Sequence, residues 1–96
     1  MDLNGIASEA FYNALKRGKT SVFSSHNDVF IQIMDEVWEY KNASETNKSE
    51  HLPEYTEAQE ELADVLICCL TELHKRGVNV EAIVEAKVEY NKRRAK

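Results

Sequence analysis

Positive charge is scarce in this chain of 96 residues: 12 Lys and Arg stand against 17 Asp and Glu, leaving a net charge of −5. Proteins that grip a nucleic-acid backbone need clustered positive charge, so the balance argues against that partner. A phosphate-bearing ligand stays open if a divalent cation bridges it to acidic groups. Cysteine is limited to Cys68 and Cys69, adjacent in sequence. On a helix they point about 100° apart, so they do not bridge each other, and no C-x-x-C metal pattern exists. Buried reduced thiols in a cytosolic protein are expected. No apolar run approaches the ~20 residues that a membrane span requires. Met1 to Ala10 mixes Asp2, Asn4 and Glu9 with apolar residues, so no signal peptide is expected there and the protein is expected to be cytoplasmic. Repeats, low-complexity tracts and linkers are absent too, which predicts a single domain over residues 1–96.

What is present is helical periodicity. Ile6, Ala7, Ala10, Phe11, Ala14 and Leu15 recur at the spacing of a short amphipathic helix that ends near Gly18. A polar link follows, in which Ser25 or Asn27 can cap a second helix from about Asp28 to Ala43. Asn42 to Pro53 holds the only proline and is read as a loop, with Leu52 tucked in. Thr56-Glu57-Ala58-Gln59 has the form of a capping box, opening a third helix from about Glu57 to Lys75 or Arg76, with Gly77 at its C-terminal stop. Asn79 can cap a fourth, from Val80 to about Ala95. An all-α, four-helix chain is expected. At this length it buries only about 60–65% of its unfolded surface, so oligomerisation would help to complete the bundle.

The third helix carries the densest signal. Glu61 and Asp64 project about 60° apart and can reach one point, and the wholly apolar run Val65 to Leu70 follows directly. A segment apolar nearly all round is expected to be buried on most sides. Glu36 and Glu39 repeat the spacing on the second helix. Ile33, Val37 and Tyr40 project within about 80° of Val29 on that helix, and Glu36 falls inside the apolar arc. An acid there breaks the binary pattern, as happens where function overrides folding. Two such pairs brought together form a four-carboxylate oxygen cage suited to Mg²⁺ or Mn²⁺. On the fourth helix Val80, Ile83 and Val84 form an apolar stripe, and Lys87, Asn91 and Arg94 continue it with phosphate-type donors. No Ser/His or Cys/His arrangement points to covalent catalysis, so hydrolysis by a metal-activated water is the natural chemistry.

Asp35-Glu36-Val37-Trp38-Glu39 followed by Glu60-Glu61-Leu62-Ala63-Asp64-Val65-Leu66 resembles the E-x-x-E … E-x-x-D signature of the MazG-like nucleoside triphosphate pyrophosphohydrolases. The ending is similar as well: Gly77-Val78-Asn79-Val80, then Lys87, Asn91 and Arg94 in a K-x-x-x-N-x-x-R pattern. The resemblance covers roughly residues 29–94. It implies an all-α MazG-like bundle, assembled as a homodimer or homotetramer. It also implies Mg²⁺-dependent cleavage of a nucleoside triphosphate between the α and β phosphates, giving a nucleoside monophosphate and pyrophosphate. By position, Glu36, Glu39, Glu61 and Asp64 would be metal ligands and catalytic groups, and Lys87, Asn91 and Arg94 would meet the substrate phosphates or orient the cage. Asp35 stands where the family more often has Glu. The related phosphoribosyl-ATP pyrophosphohydrolases place a His soon after the second acidic pair, where this chain has Ile67-Cys68-Cys69.

Plainer readings compete for each residue. Glu36 and Glu39 alone would be a solvated helix face; the apolar arc around Glu36 and the second pair at matched spacing turn the reading to function. Trp38 projects away from Glu36 and is expected to pack in a core or interface rather than stack on a base. His26, His51 and His74 are expected on the surface or in loops, and Lys16, Arg17 and Lys19 at a solvated helix end. A carboxylate di-iron bundle would need Glu-x-x-His, and no Glu here has His three residues on. The stronger rival is a non-catalytic helical adaptor, using its apolar faces to bind another protein.

Overall fold

The protein is described here by a computed structural model covering residues 2–94. Its helices are α1 (Leu3–Lys16), α2 (His26–Lys41), α3 (Glu57–Lys75) and α4 (Val80–Arg93). Among the described residues no strand forms; Lys48 and Thr56 make an isolated antiparallel bridge. The expected all-α class is present, and no described helix is long and apolar enough to cross a membrane.

Local side chains set every start. Asn4 N–H donates to Asp2 Oδ1 at the start of α1 (3.0 Å). Ser25 and Asp28 bond reciprocally at α2, Asp28 N–H to Ser25 Oγ (3.1 Å) and Ser25 N–H to Asp28 Oδ2 (3.0 Å). Thr56 and Gln59 do the same at α3, at 3.1 and 2.9 Å. Asn79 Oδ1 takes Ala82 N–H at α4 (3.0 Å). These are the amides a helix start leaves without partners, and each cap stabilises by about 1 kcal/mol. Gly18 (φ 70°) and Gly77 (φ 78°) take the left-handed turn that ends α1 and α3. Ser25 rather than Asn27 caps α2, so that helix begins two residues before the expected Asp28, and it stops at Lys41 rather than Ala43. The backbone of α4 turns extended at Arg94; its expected end, Ala95, lies outside the described residues.

The chain folds as two units, and α3 contributes to both. One unit joins α1 and α4 to the end of α3 from Leu70. Its nucleus is Ala7, Leu70 and Val80, with Leu3, Ile6, Leu73 and Val84 packed on it. Asn4 ties two helix starts together: its Oδ1 accepts from Val80 N–H (2.8 Å) and Glu81 N–H (3.3 Å), and its Nδ2 donates to Asn79 Oδ1 (3.0 Å). The His74 ring lies 5.1 Å from Phe11 and 6.3 Å from Tyr12 between centroids. His74 is thus half-buried rather than on the surface as expected, because it follows the buried Leu70 by one turn on the same helix face.

The other unit is Ser21–Cys69, holding α2, the loop before α3 and the first part of α3. That loop docks through polar atoms. Ser44 C=O accepts from Ala58 N–H (2.9 Å) and Asn47 C=O from Glu57 N–H (3.0 Å), covering further orphan amides of the α3 start. Ser49 is the loop's buried residue; its hydroxyl accepts from His51 N–H (3.2 Å) and Leu52 N–H (2.9 Å) and donates to Glu60. A knot closed by hydrogen bonds needs no apolar anchor, and Leu52, expected to tuck in, is exposed. The apolar run of α3 corrects a second expectation. Leu66 and Ile67 are exposed and Cys68 and Cys69 half-buried; only Leu70 of the run is buried. An apolar sequence demands cover, and a chain this short lacks enough of its own to supply it.

Candidate functional site

Glu36 and Glu39 sit one turn apart on α2, and Glu61 stands on α3 in the same unit. One carboxylate oxygen from each lies within 4.8 Å of the others. Glu36 and Glu61 are half-buried and Glu39 is exposed. Glu61 Oε2 is buried and has no hydrogen-bond partner among the described residues. Burial pushes the Glu61 carboxyl above its ordinary value of 4.5, and the charges of Asp64, Glu39, Glu60 and Glu36 push the same way. A desolvated carboxylate among like charges is unfavourable unless something positive accompanies it.

The neighbouring Glu60 shows the opposite treatment. The Ser49 hydroxyl bonds to one of its oxygens, and His51 Nδ1 lies 3.2 Å from the other. Those contacts hold it below the ordinary carboxylate value, the Ser49 bond foremost. One glutamate thus ties down the loop, and the next in sequence faces the acidic cluster. Ser49, His51 and Glu60 do not form a nucleophilic triad: the Ser49 hydroxyl is buried against Glu60, and the His51 ring also addresses Glu60.

A cation fits this donor set. Oxygens around an octahedral ion at about 2.1 Å stand about 3.0 Å apart when adjacent and about 4.2 Å when opposite. The three glutamate oxygens, all within 4.8 Å of one another, stand near that spacing. All are hard donors, as Mg²⁺, Mn²⁺ and Ca²⁺ prefer. Asp64, the fourth acid of the sequence reading, is half-buried one turn beyond Glu61 and outside the group of three, yet near enough to raise the Glu61 pKa. Asp35 is exposed on α2.

No family model, curated protein or solved structure matches the chain.

A groove of about 980 Å³ opens beside the cluster, lined by Trp38, Glu39, Asn42, Asn47, His51 and Glu61 among others. Trp38, expected to pack in a core or interface, is 61% exposed within this chain and lines the groove, with Lys41 Nζ 4.8 Å from its ring centroid. Lys87, Asn91 and Arg94 belong to the other unit. There Lys87 is exposed with its ammonium 4.6 Å over the Tyr90 ring, and Arg94 Nη1 donates to Asn91 Oδ1 at 3.4 Å. Sequence reasoning missed Asn42, Asn47, Ser49 and His51, which lie in a stretch read only as loop. Polar loop residues carry no periodicity, so nothing in the sequence marks which of them turn toward the acids.

Proposed function

We propose that the protein is a Mg²⁺-dependent nucleoside triphosphate pyrophosphohydrolase that cleaves between the α and β phosphates, releasing a nucleoside monophosphate and pyrophosphate. The observation that carries this is the convergence of Glu36, Glu39 and Glu61, one of which, Glu61, has a buried oxygen without a hydrogen-bond partner among the described residues. The resemblance to the MazG-like enzymes supplies the reaction class. Glu36, Glu39 and Glu61, joined by Asp64, would hold Mg²⁺, with Mn²⁺ as substitute. When bound there, Mg²⁺ would supply charge neutralisation for the phosphoryl oxygens and a lowered pKa for water. By the resemblance alone, Lys87, Asn91 and Arg94 would meet the substrate phosphates or orient the cage, the two cations by charge and Asn91 by its amide.

Pyrophosphate release from a panel of common and damaged nucleoside triphosphates, with and without Mg²⁺, tests the reading. Turnover that needs the metal is expected. Lys87→Ala is expected to lower kcat/KM roughly ten- to a hundredfold, the worth of one charge-assisted contact, with no rescue by added Mg²⁺. Asp64→Asn should lose turnover through the metal and recover part of it as Mg²⁺ rises. If Lys87→Ala behaves as wild type, the polar end of α4 has no part in the chemistry.

A homo-oligomer, built around a symmetric dimer, belongs to the same proposal. Phe30, Ile31 and Met34 on α2 and Leu62, Leu66 and Ile67 on α3 are all exposed in the single chain. Self-complementary closure is the commonest way to cover such faces. Sedimentation equilibrium should find no folded monomer at micromolar concentration, and a stable monomer would remove the dimer from the proposal. The same faces suit an adaptor, which would show no metal-dependent turnover at all.

A further inference from the structure

We propose that the groove beside the acidic cluster is a nucleobase subsite, with the Trp38 indole as stacking platform and the Asn42 and Asn47 amides reading the base edge. The identity of the base as part of a triphosphate substrate rests on the pyrophosphohydrolase reading; the subsite itself rests on the groove. Trp38 is the only tryptophan of the chain, and it stands one residue before Glu39. Trp38, Glu39 and Glu61 line the same groove. The Lys41 ammonium lies over the indole, 4.8 Å from the ring centroid. A large amphipathic ring left mostly in water beside charged groups is placed to receive a planar ligand.

The rest of the lining narrows the ligand. Asn42 Nδ2 donates to Trp38 C=O at 2.9 Å, which leaves its Oδ1 as an acceptor. The Asn47 backbone is pinned on both sides: its N–H donates to Ser44 Oγ (2.8 Å), and its C=O accepts from Glu57 N–H (3.0 Å). The Asn47 amide is thus carried on a fixed base and offers both donor and acceptor. Base edges present donors and acceptors in one plane, which an amide pair can match. Glu39, Glu50, Glu57, Glu60 and Glu61 on the groove walls outnumber Lys48 and disfavour an anion that arrives without a cation. A planar ring that carries no negative charge of its own meets these conditions, and the volume suits a nucleotide-sized ligand.

As the sole tryptophan, Trp38 reports directly by its fluorescence. The probes are nucleoside monophosphates of each common base and inorganic tripolyphosphate, each with Mg²⁺. Saturable quenching by at least one monophosphate, and none by tripolyphosphate, is the expected result. By calorimetry, Trp38→Ala should weaken that monophosphate by roughly five- to 150-fold, the worth of one stacked base, and Trp38→Phe should recover most of it. Asn47→Ala should change the ranking among bases. The variants are exposed substitutions, and their helical circular dichroism checks that they fold. Absence of quenching by every base, or Trp38→Ala binding within twofold of wild type, overturns the subsite. Base-dependent quenching without pyrophosphate release would keep the subsite and remove the reaction; pyrophosphate release with KM unmoved in Trp38→Ala would do the reverse.

Discussion

Glu61→Gln is expected to abolish pyrophosphate release and, in metal-free protein at neutral pH, to raise the melting temperature. The two effects have one origin. Glu61 Oε2 is buried without a hydrogen-bond partner among the described residues, and four nearby carboxylates add like charge. Without a cation the ionised group works against folding, so a neutral amide of equal size relieves the fold while removing a ligand charge. The pH dependence follows in sign. The folded-state pKa of Glu61 lies above the 4.5 of the exposed group, so the unfolded chain ionises first as pH rises. The penalty is absent below about that unfolded value, grows as pH climbs through the folded pKa, and is complete above it. Melting wild type and variant in EDTA from pH 4.5 to 8 should show the variant's advantage opening with pH. Millimolar Mg²⁺ should reverse the order, since an ion at a hundred times its Kd stabilises the folded state by about 2.7 kcal/mol. Equal melting temperatures in EDTA, together with a variant that still responds to Mg²⁺, would place the ion elsewhere.

The second large effect lies far from that cluster in sequence. Asn4→Ala should cost about 2–4 kcal/mol and lower the melting temperature by roughly 10–20 °C. Asn4 Oδ1 is the acceptor for the amides of Val80 and Glu81, and its Nδ2 steadies the Asn79 oxygen that caps α4. Val80 is fully buried, so its N–H cannot turn to water when the acceptor is lost. Asn79→Ala removes an ordinary exposed cap and should cost only about 1 kcal/mol. Asn4→Asp keeps the acceptor and gives up the donor, and should fall between the two. Urea unfolding of the three variants checks the order. If Asn4→Ala is no more destabilising than an ordinary surface substitution, about 0.5 kcal/mol at most, the tie between the α1 and α4 starts contributes nothing.

Capping at three of the helix starts was legible because a cap acts over three or four residues. Ser25 bonds Asp28, Thr56 bonds Gln59 and Asn79 bonds Ala82, and each pair can be read along the chain without knowing anything distant. Gly18 and Gly77 stop α1 and α3 for an equally local reason, the backbone freedom that a missing Cβ allows. The i, i+3 spacing of Glu36 with Glu39 and of Glu61 with Asp64 likewise places each pair on one helix face.

Which acids meet was a different matter. Glu36 and Glu61 are separated by the whole loop before α3, and only the path of that loop decides that Glu61 joins Glu36 and Glu39 while Asp64 stays outside. The same path sets Ser49 and His51 on Glu60, which separates two adjacent glutamates into an anchored one and an orphaned one. The tie from Asn4 to Val80 crosses nearly the full length of the chain. Burial divided along the same line: Leu66 and Ile67 look like core and are exposed, whereas His74 looks like surface and packs on Phe11. Periodicity and capping are properties of neighbours along the backbone, so the sequence by itself determined the helices and the faces they present. Proximity across loops and the share of each face that finds cover depend on how the elements stack, and only the tertiary structure decided those.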